Sequence, residues 1–106
     1  MSEFTMFELP GNGGVAPTPY SGTGIAQITT ATTTEVKSSA GYVGTLINAG
    51  SSTTGAITIY DATSATGTPV WSGTLTAGQV LPLGIPCNTG ITVVTAAADT
   101  ITVSYA

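Results

Sequence analysis

The sequence predicts an all-β protein: an antiparallel β-sandwich, jelly-roll or immunoglobulin-like, with an extended N-terminal arm. Three observations predict it. Short runs rich in Val, Ile and Thr recur at steady spacing from residue 23 onward, separated by Gly-, Ser- and Asn-rich turns, the pattern of many-stranded sandwiches and barrels. No stretch carries a convincing apolar 3.6-residue period, so neither helices nor the helical crossovers that parallel sheets need are expected. Of the 106 residues, 42% are hydrophobic and only 6% charged, against about 25% charged in an ordinary globular domain. Such a chain can fill one modest core, and its surface must be mostly neutral hydroxyl and small side chains.

The composition changes near residue 23, which divides the chain into an arm, 1–22, and a β-sandwich domain, 23–106. The arm, "MSEFTMFELPGNGGVAPTPYSG", holds Pro10, Pro17 and Pro19 and four glycines, and shows neither helical nor strand periodicity. Its first ten residues nonetheless pack in Phe4, Met6, Phe7 and Leu9. Burying those four side chains fully yields roughly 6–12 kcal/mol. Ordering the backbone of about seven residues around them costs on the order of 7–14 kcal/mol. The two nearly cancel, so the arm is not expected to order in isolation: a groove on a partner or a neighbouring subunit would hold it, the alternative being that it packs on its own sandwich as one more strand. Phe4, Met6, Phe7 and Leu9 are the expected contact residues.

The domain reads as strands in order. "GIAQITT" (24–30) has Ile25 and Ile28 in unclear register, and the polar "TEVKSS" (34–39) suits an edge. "YVGTLINA" (42–49) places Val43, Thr45 and Ile47 on one face and Tyr42 and Leu46 on the other. "AITIYD" (56–61) alternates with Ile57 and Ile59 inward. "PVWSGTLT" (69–76) supplies Trp71, the single indole and an expected core anchor beside the Ile57/Ile59 face and some of Leu75, Val80 and Leu83. "QVLPLGI" (79–85) contains Pro82, which cannot donate to a ladder and predicts an edge or a bulge. "ITVVTA" (91–96) and "TITVSY" (100–105) read as a hairpin through Ala97, Ala98 and Asp99. In the last strand Ile101, Val103 and Tyr105 share the inward face.

The side-chain inventory argues against an enzyme. There is no His, hence no Ser-His-Asp or Cys-His arrangement, and one Cys without His excludes the usual zinc sites. The acids Glu3, Glu8, Glu35, Asp61 and Asp99 are widely spaced and form no calcium loop. Asp61 and Asp99 suit turns, and Glu35 and Lys37, two apart on one strand, suit a weak surface pair. "GNGG" and "GTG" lack the lysine and following helix of a phosphate loop. The pairs Thr74/Thr76 and Thr100/Thr102 follow no repeat period. No catalytic residue, metal or cofactor is expected.

Charge narrows the partners. With Lys37 the only cation and a net charge of −4, neither nucleic acid nor an anionic lipid surface is an expected partner. The N-terminus lacks the basic and apolar regions of a secretory signal, and no apolar run is long enough to cross a bilayer. Cys87 is the single cysteine, so no intrachain disulfide is expected and it reads as a small buried hydrophobe.

The run "GTPVWSGTLTAGQVLPLGIPCNTGITVVTAAADTITVSYA", with "EVKSSAGYVGTLINAG" and "ITIYDATSATG" upstream, resembles small structural proteins of tailed-bacteriophage head modules. The resemblance covers roughly residues 33–106, and its elements are strand, turn and proline-bounded loop words of limited specificity. It implies a capsid decoration, or cement, protein. Such a protein is a β-sandwich bound to the outside of the head shell, made in the host cytoplasm, with the major capsid protein and neighbouring copies of itself as partners. The alternatives are a tail or head-fibre component, or a carbohydrate-binding, adhesin-like sandwich presenting Tyr42 and Tyr60.

Overall fold

The computed structural model describes residues 24–106. Eight strands follow in order: β1 (Gly24–Ile28), β2 (Thr33–Lys37), β3 (Gly41–Asn48), β4 (Ile57–Tyr60), β5 (Pro69–Gly73), β6 (Val80–Cys87), β7 (Ile91–Thr95) and β8 (Ile101–Tyr105). They form two antiparallel four-stranded sheets with orders β1-β8-β3-β6 and β2-β7-β4-β5. The described residues contain no helix. The inward faces of the two sheets meet in one core built on Leu46, Ile57, Ile59, Ile91, Ile101 and Val103, each fully buried.

The last two strands do not form the expected hairpin. β7 lies in one sheet and β8 in the other, and residues 96–100 cross between them. Two bonds carry the crossing over the end of β4: Ala96 N–H donates to the Ala56 carbonyl at 3.0 Å, and Gly55 N–H donates to Asp99 Oδ2 at 2.9 Å. In this arrangement Val93 and the pair Ile101 and Val103 fill the core from opposite sheets. The uncharged tail strand β8 is not an edge. It runs between β1 and β3, so both sides of its backbone face its own sheet.

The expected face of β3 holds only at its start. Val43 is buried, but Thr45 and Ile47 are half-buried, and the buried positions become Leu46 and Asn48. The cause is an extra residue, Gly44, between the pairs Val43↔Tyr105 and Thr45↔Ser104. One inserted residue moves the following side chains to the opposite face. β6 bulges in turn against β3, between Ile85 and Pro82, where Gly84 adopts φ 66°, a conformation that favours glycine. β6 is also an edge strand, as Pro82 required, and β2 is an edge strand as its polarity suggested.

Trp71 is half-buried rather than central. It stands on edge strand β5 opposite Ile59 and packs against the core's rim. Of its expected neighbours, Leu75 is fully buried, whereas Val80 points outward and is 58% exposed. Glu35 and Lys37 form no pair, because Val36 bulges between them against β7.

Candidate binding surface

The strand register makes the two outer sheet faces chemically different. On the β1-β8-β3-β6 sheet, one row runs Gln27–Thr102–Ile47–Val80 across all four strands. The next row runs Ile25–Ser104–Thr45–Pro82. Ile25 is 70% exposed, and Tyr42, which lies across from Pro86, is 46% exposed. No residue in these rows carries a charge. On the other sheet the rows are Thr33–Val94–Thr58–Ser72 and Glu35–Thr92–Tyr60–Pro69. That face is hydroxyl-rich, bears a charge at its β2 edge, and is partly roofed by the loop after β4, where Thr92 Oγ1 donates to the Ala62 carbonyl at 2.8 Å.

The charged groups of the described residues thus sit on β2 and in loops, away from the first face. Asp61 and Asp99 each hold a loop. Asp61 accepts N–H bonds from Asn88 (3.0 Å), Thr89 (2.8 Å) and, more weakly, Gly90 (3.4 Å), which ties the loop after β4 to the β6–β7 turn. These donors, led by Asn88 and Thr89, hold its carboxyl below the usual carboxylate range. A carboxylate with a lowered folded-state pKa stabilises the fold fully above its unfolded pKa. That contribution disappears as pH falls through the lowered value. Asp61→Ala is therefore expected to melt below the native protein at neutral pH. The gap should close in acid below the range where Asp61 titrates, as thermal melts over a pH series will show.

Cys87 is buried in the core, and burial, with the Asp61 carboxylate as a lesser cause, pushes its thiol pKa up. It is therefore a packed core side chain in surroundings that favour the thiol form. Among the described residues no three His, Cys, Asp or Glu side chains are grouped to hold a metal, and no helix is long and apolar enough to cross a membrane.

The expected contact residues Phe4, Met6, Phe7 and Leu9 lie outside the described residues. What sequence reasoning missed is the uncharged face itself. Its two outer rows become visible only when Ile25, Ile47 and Val80, from three separate segments, are aligned by register. A buried polar cluster was missed as well. Asn48 Nδ2 donates to the carbonyls of Ser52 (2.8 Å) and Thr76 (2.9 Å), with Leu75 O at 3.3 Å, while its Oδ1 accepts from Gly50 N–H at 2.9 Å. The only sequence signal for it was an Asn closing an apolar strand ahead of a Gly-Ser turn.

No protein-family model matches the chain, and neither a curated protein nor a solved structure is significantly similar to it.

Proposed function

We propose that this chain is a capsid decoration protein, a jelly-roll β-sandwich that binds the outer surface of a phage head and bridges capsid subunits. The observation that carries the reading is the uncharged outer face of the β1-β8-β3-β6 sheet, with Ile25, Tyr42 and Val80 exposed on it. Exposed apolar side chains gathered on one face, with charge kept elsewhere, mark an interaction surface rather than a catalytic one. The strand orders β1-β8-β3-β6 and β2-β7-β4-β5 favour the jelly-roll winding over the immunoglobulin-like one. In a jelly roll two Greek keys pair the first strand with the last. Phe4, Met6, Phe7 and Leu9 add an apolar anchor to the capsid protein or to a neighbouring copy. Work at the shell's exterior also suits a protein with a single cation, since a DNA-facing surface would need many.

Co-expression with a candidate major capsid protein tests the reading. Hundreds of copies on the head by cryo-EM are the expected result, with Val80→Asp weakening attachment about tenfold, ~1.4 kcal/mol, and deletion of residues 1–10 weakening it further without unfolding the sandwich. A few copies confined to the tail would support the tail or fibre reading instead. The carbohydrate reading has exposed Tyr42 in its favour; a glycan-array signal lost in Tyr42→Ala, with no head binding, would replace the proposal.

A further inference from the structure

The four sheet edges are guarded unequally. β6 carries Pro82, Pro86 and the bulge at Gly84. β2 carries Glu35 and Lys37 and bulges at Val36. β5 opens on Pro69, and its register with β4 breaks between Ile59 and Tyr60. Proline, charge and bulges are the devices that keep another strand from adding to an edge.

β1 has none of them. Its sequence is GIAQI, and its register with β8 is unbroken from Gly24↔Tyr105 to Ile28↔Ile101. Among the described residues β8 is its one strand partner. Ile25 on this edge is the most exposed of the large hydrophobic residues described. On the inner side, Ala26 and, on the adjoining edge β2, Val36 touch the core but stay half-buried. The four-residue link 29–32 holds those two edges on the same side of the sandwich. A strand added to β1 would therefore lie beside Ile25 on its outer side and beside Ala26 and Val36 on its inner side.

We propose that the β1 edge accepts residues 3–9, EFTMFEL, of a second copy as a fifth strand of this sheet. The segment contains no Pro or Gly and ends at Pro10. Alternation along a strand places Phe4, Met6 and Glu8 on one face and Glu3, Thr5, Phe7 and Leu9 on the other, so each face has two large apolar side chains and its glutamate towards one end of the segment. Charge guards neither β1 nor the middle of this segment. The copy is a second one because of the connection. Residues 10–23 separate the segment from β1, whereas strands paired in a hairpin are joined by about 2–5 residues. Fully extended, those fourteen residues span at most about 50 Å, enough to reach a neighbouring molecule. The pairing needs only this chain, so it stands or falls separately from shell binding.

Sedimentation and amide hydrogen exchange on the full-length protein, without any capsid, test it. At high concentration the protein is expected to self-associate, and the outward-pointing amides of β1 to exchange at least about tenfold more slowly than in a dilute, monomeric sample. Ile25→Lys places a guard on the exposed edge and should abolish both association and protection while leaving the melting temperature of the dilute, monomeric protein unchanged. Phe7→Ser should do the same from the donor side. Protection that persists unchanged on dilution would mean the segment folds back on its own β1. No protection at any concentration would mean the edge is free. An association that survives both variants would mean another surface joins the copies. Any of these three results overturns the proposal.

Discussion

Leu75→Ala is expected to lower the unfolding free energy by about 3–4 kcal/mol and the melting temperature by roughly 12–30 °C at about 4–8 °C per kcal/mol. Leu75 lies outside any strand, two residues beyond the end of β5, yet it is fully buried. A side chain on a loop usually costs little to truncate, because the loop settles into the space. Here the backbone is held on both sides. Leu75 N–H donates to Thr54 Oγ1 at 3.0 Å, and Thr54 N–H donates to the Leu75 carbonyl at 2.9 Å. A pinned backbone cannot collapse into the cavity, which keeps the loss within the range of well-packed core truncations. Urea unfolding measures it, and a loss under about 1 kcal/mol would show that the segment relaxes despite its bonds.

Asn48→Ala is the second large effect, expected at about 2–3 kcal/mol. The Asn48 side chain is only 1% exposed and joins three pieces of chain: the end of β3, the loop at Ser52 and the segment at Leu75–Thr76. Truncation removes donors from carbonyls that are partly out of reach of water, and an acceptor from Gly50 N–H. Because Leu75 O is one of those partners, Asn48→Ala and Leu75→Ala should not add. The double variant is expected to fall short of the sum of the single losses by more than about 0.5 kcal/mol. Additive losses would show that the two residues act independently.

Much of the strand content was legible because it is local. "AITIYD" alternates, and Ile57 and Ile59 are both fully buried in β4. "QVLPLGI" and "ITVVTA" correspond closely to β6 (Val80–Cys87) and β7 (Ile91–Thr95). Pro82 marked an edge because a missing N–H limits any strand, whatever its neighbours. The errors came where a neighbour decided. In β3, alternation put Val43, Thr45 and Ile47 on one face, but the extra residue at Gly44 exists only relative to β8. Glu35 and Lys37 were separated by a bulge defined against β7. The hairpin expected through Ala97–Asp99 failed for the same reason. A short connection between two strands suits a hairpin or a crossing equally well, and Asp99 held by Gly55 belongs to the crossing.

The candidate surface divides along the same line. Near-absence of charge, lack of histidine and a lone buried-type cysteine are properties of composition. They remove catalysis, metal binding and nucleic-acid binding from expectation on composition alone. The anchor residues Phe4, Met6, Phe7 and Leu9 were also read from local density of apolar side chains. The uncharged face and the unguarded β1 edge are relations between segments far apart in the chain.

By itself, then, the sequence determined that this protein is all-β, where most of its strands lie, and that its surface carries few charges. Those follow from side-chain periodicity, turn chemistry and charge count, each of which acts over a few residues. Only the tertiary structure decided strand order, which placed the bare tail strand "TITVSY" in the middle of a sheet and left "GIAQI" at its border. Backbone hydrogen bonding between strands is indifferent to side-chain identity, so similar Thr/Val/Ile strands can pair in many orders. The order found here is the one in which the core closes from both sheets and loops such as those held by Asn48, Asp61 and Asp99 reach their bonding partners.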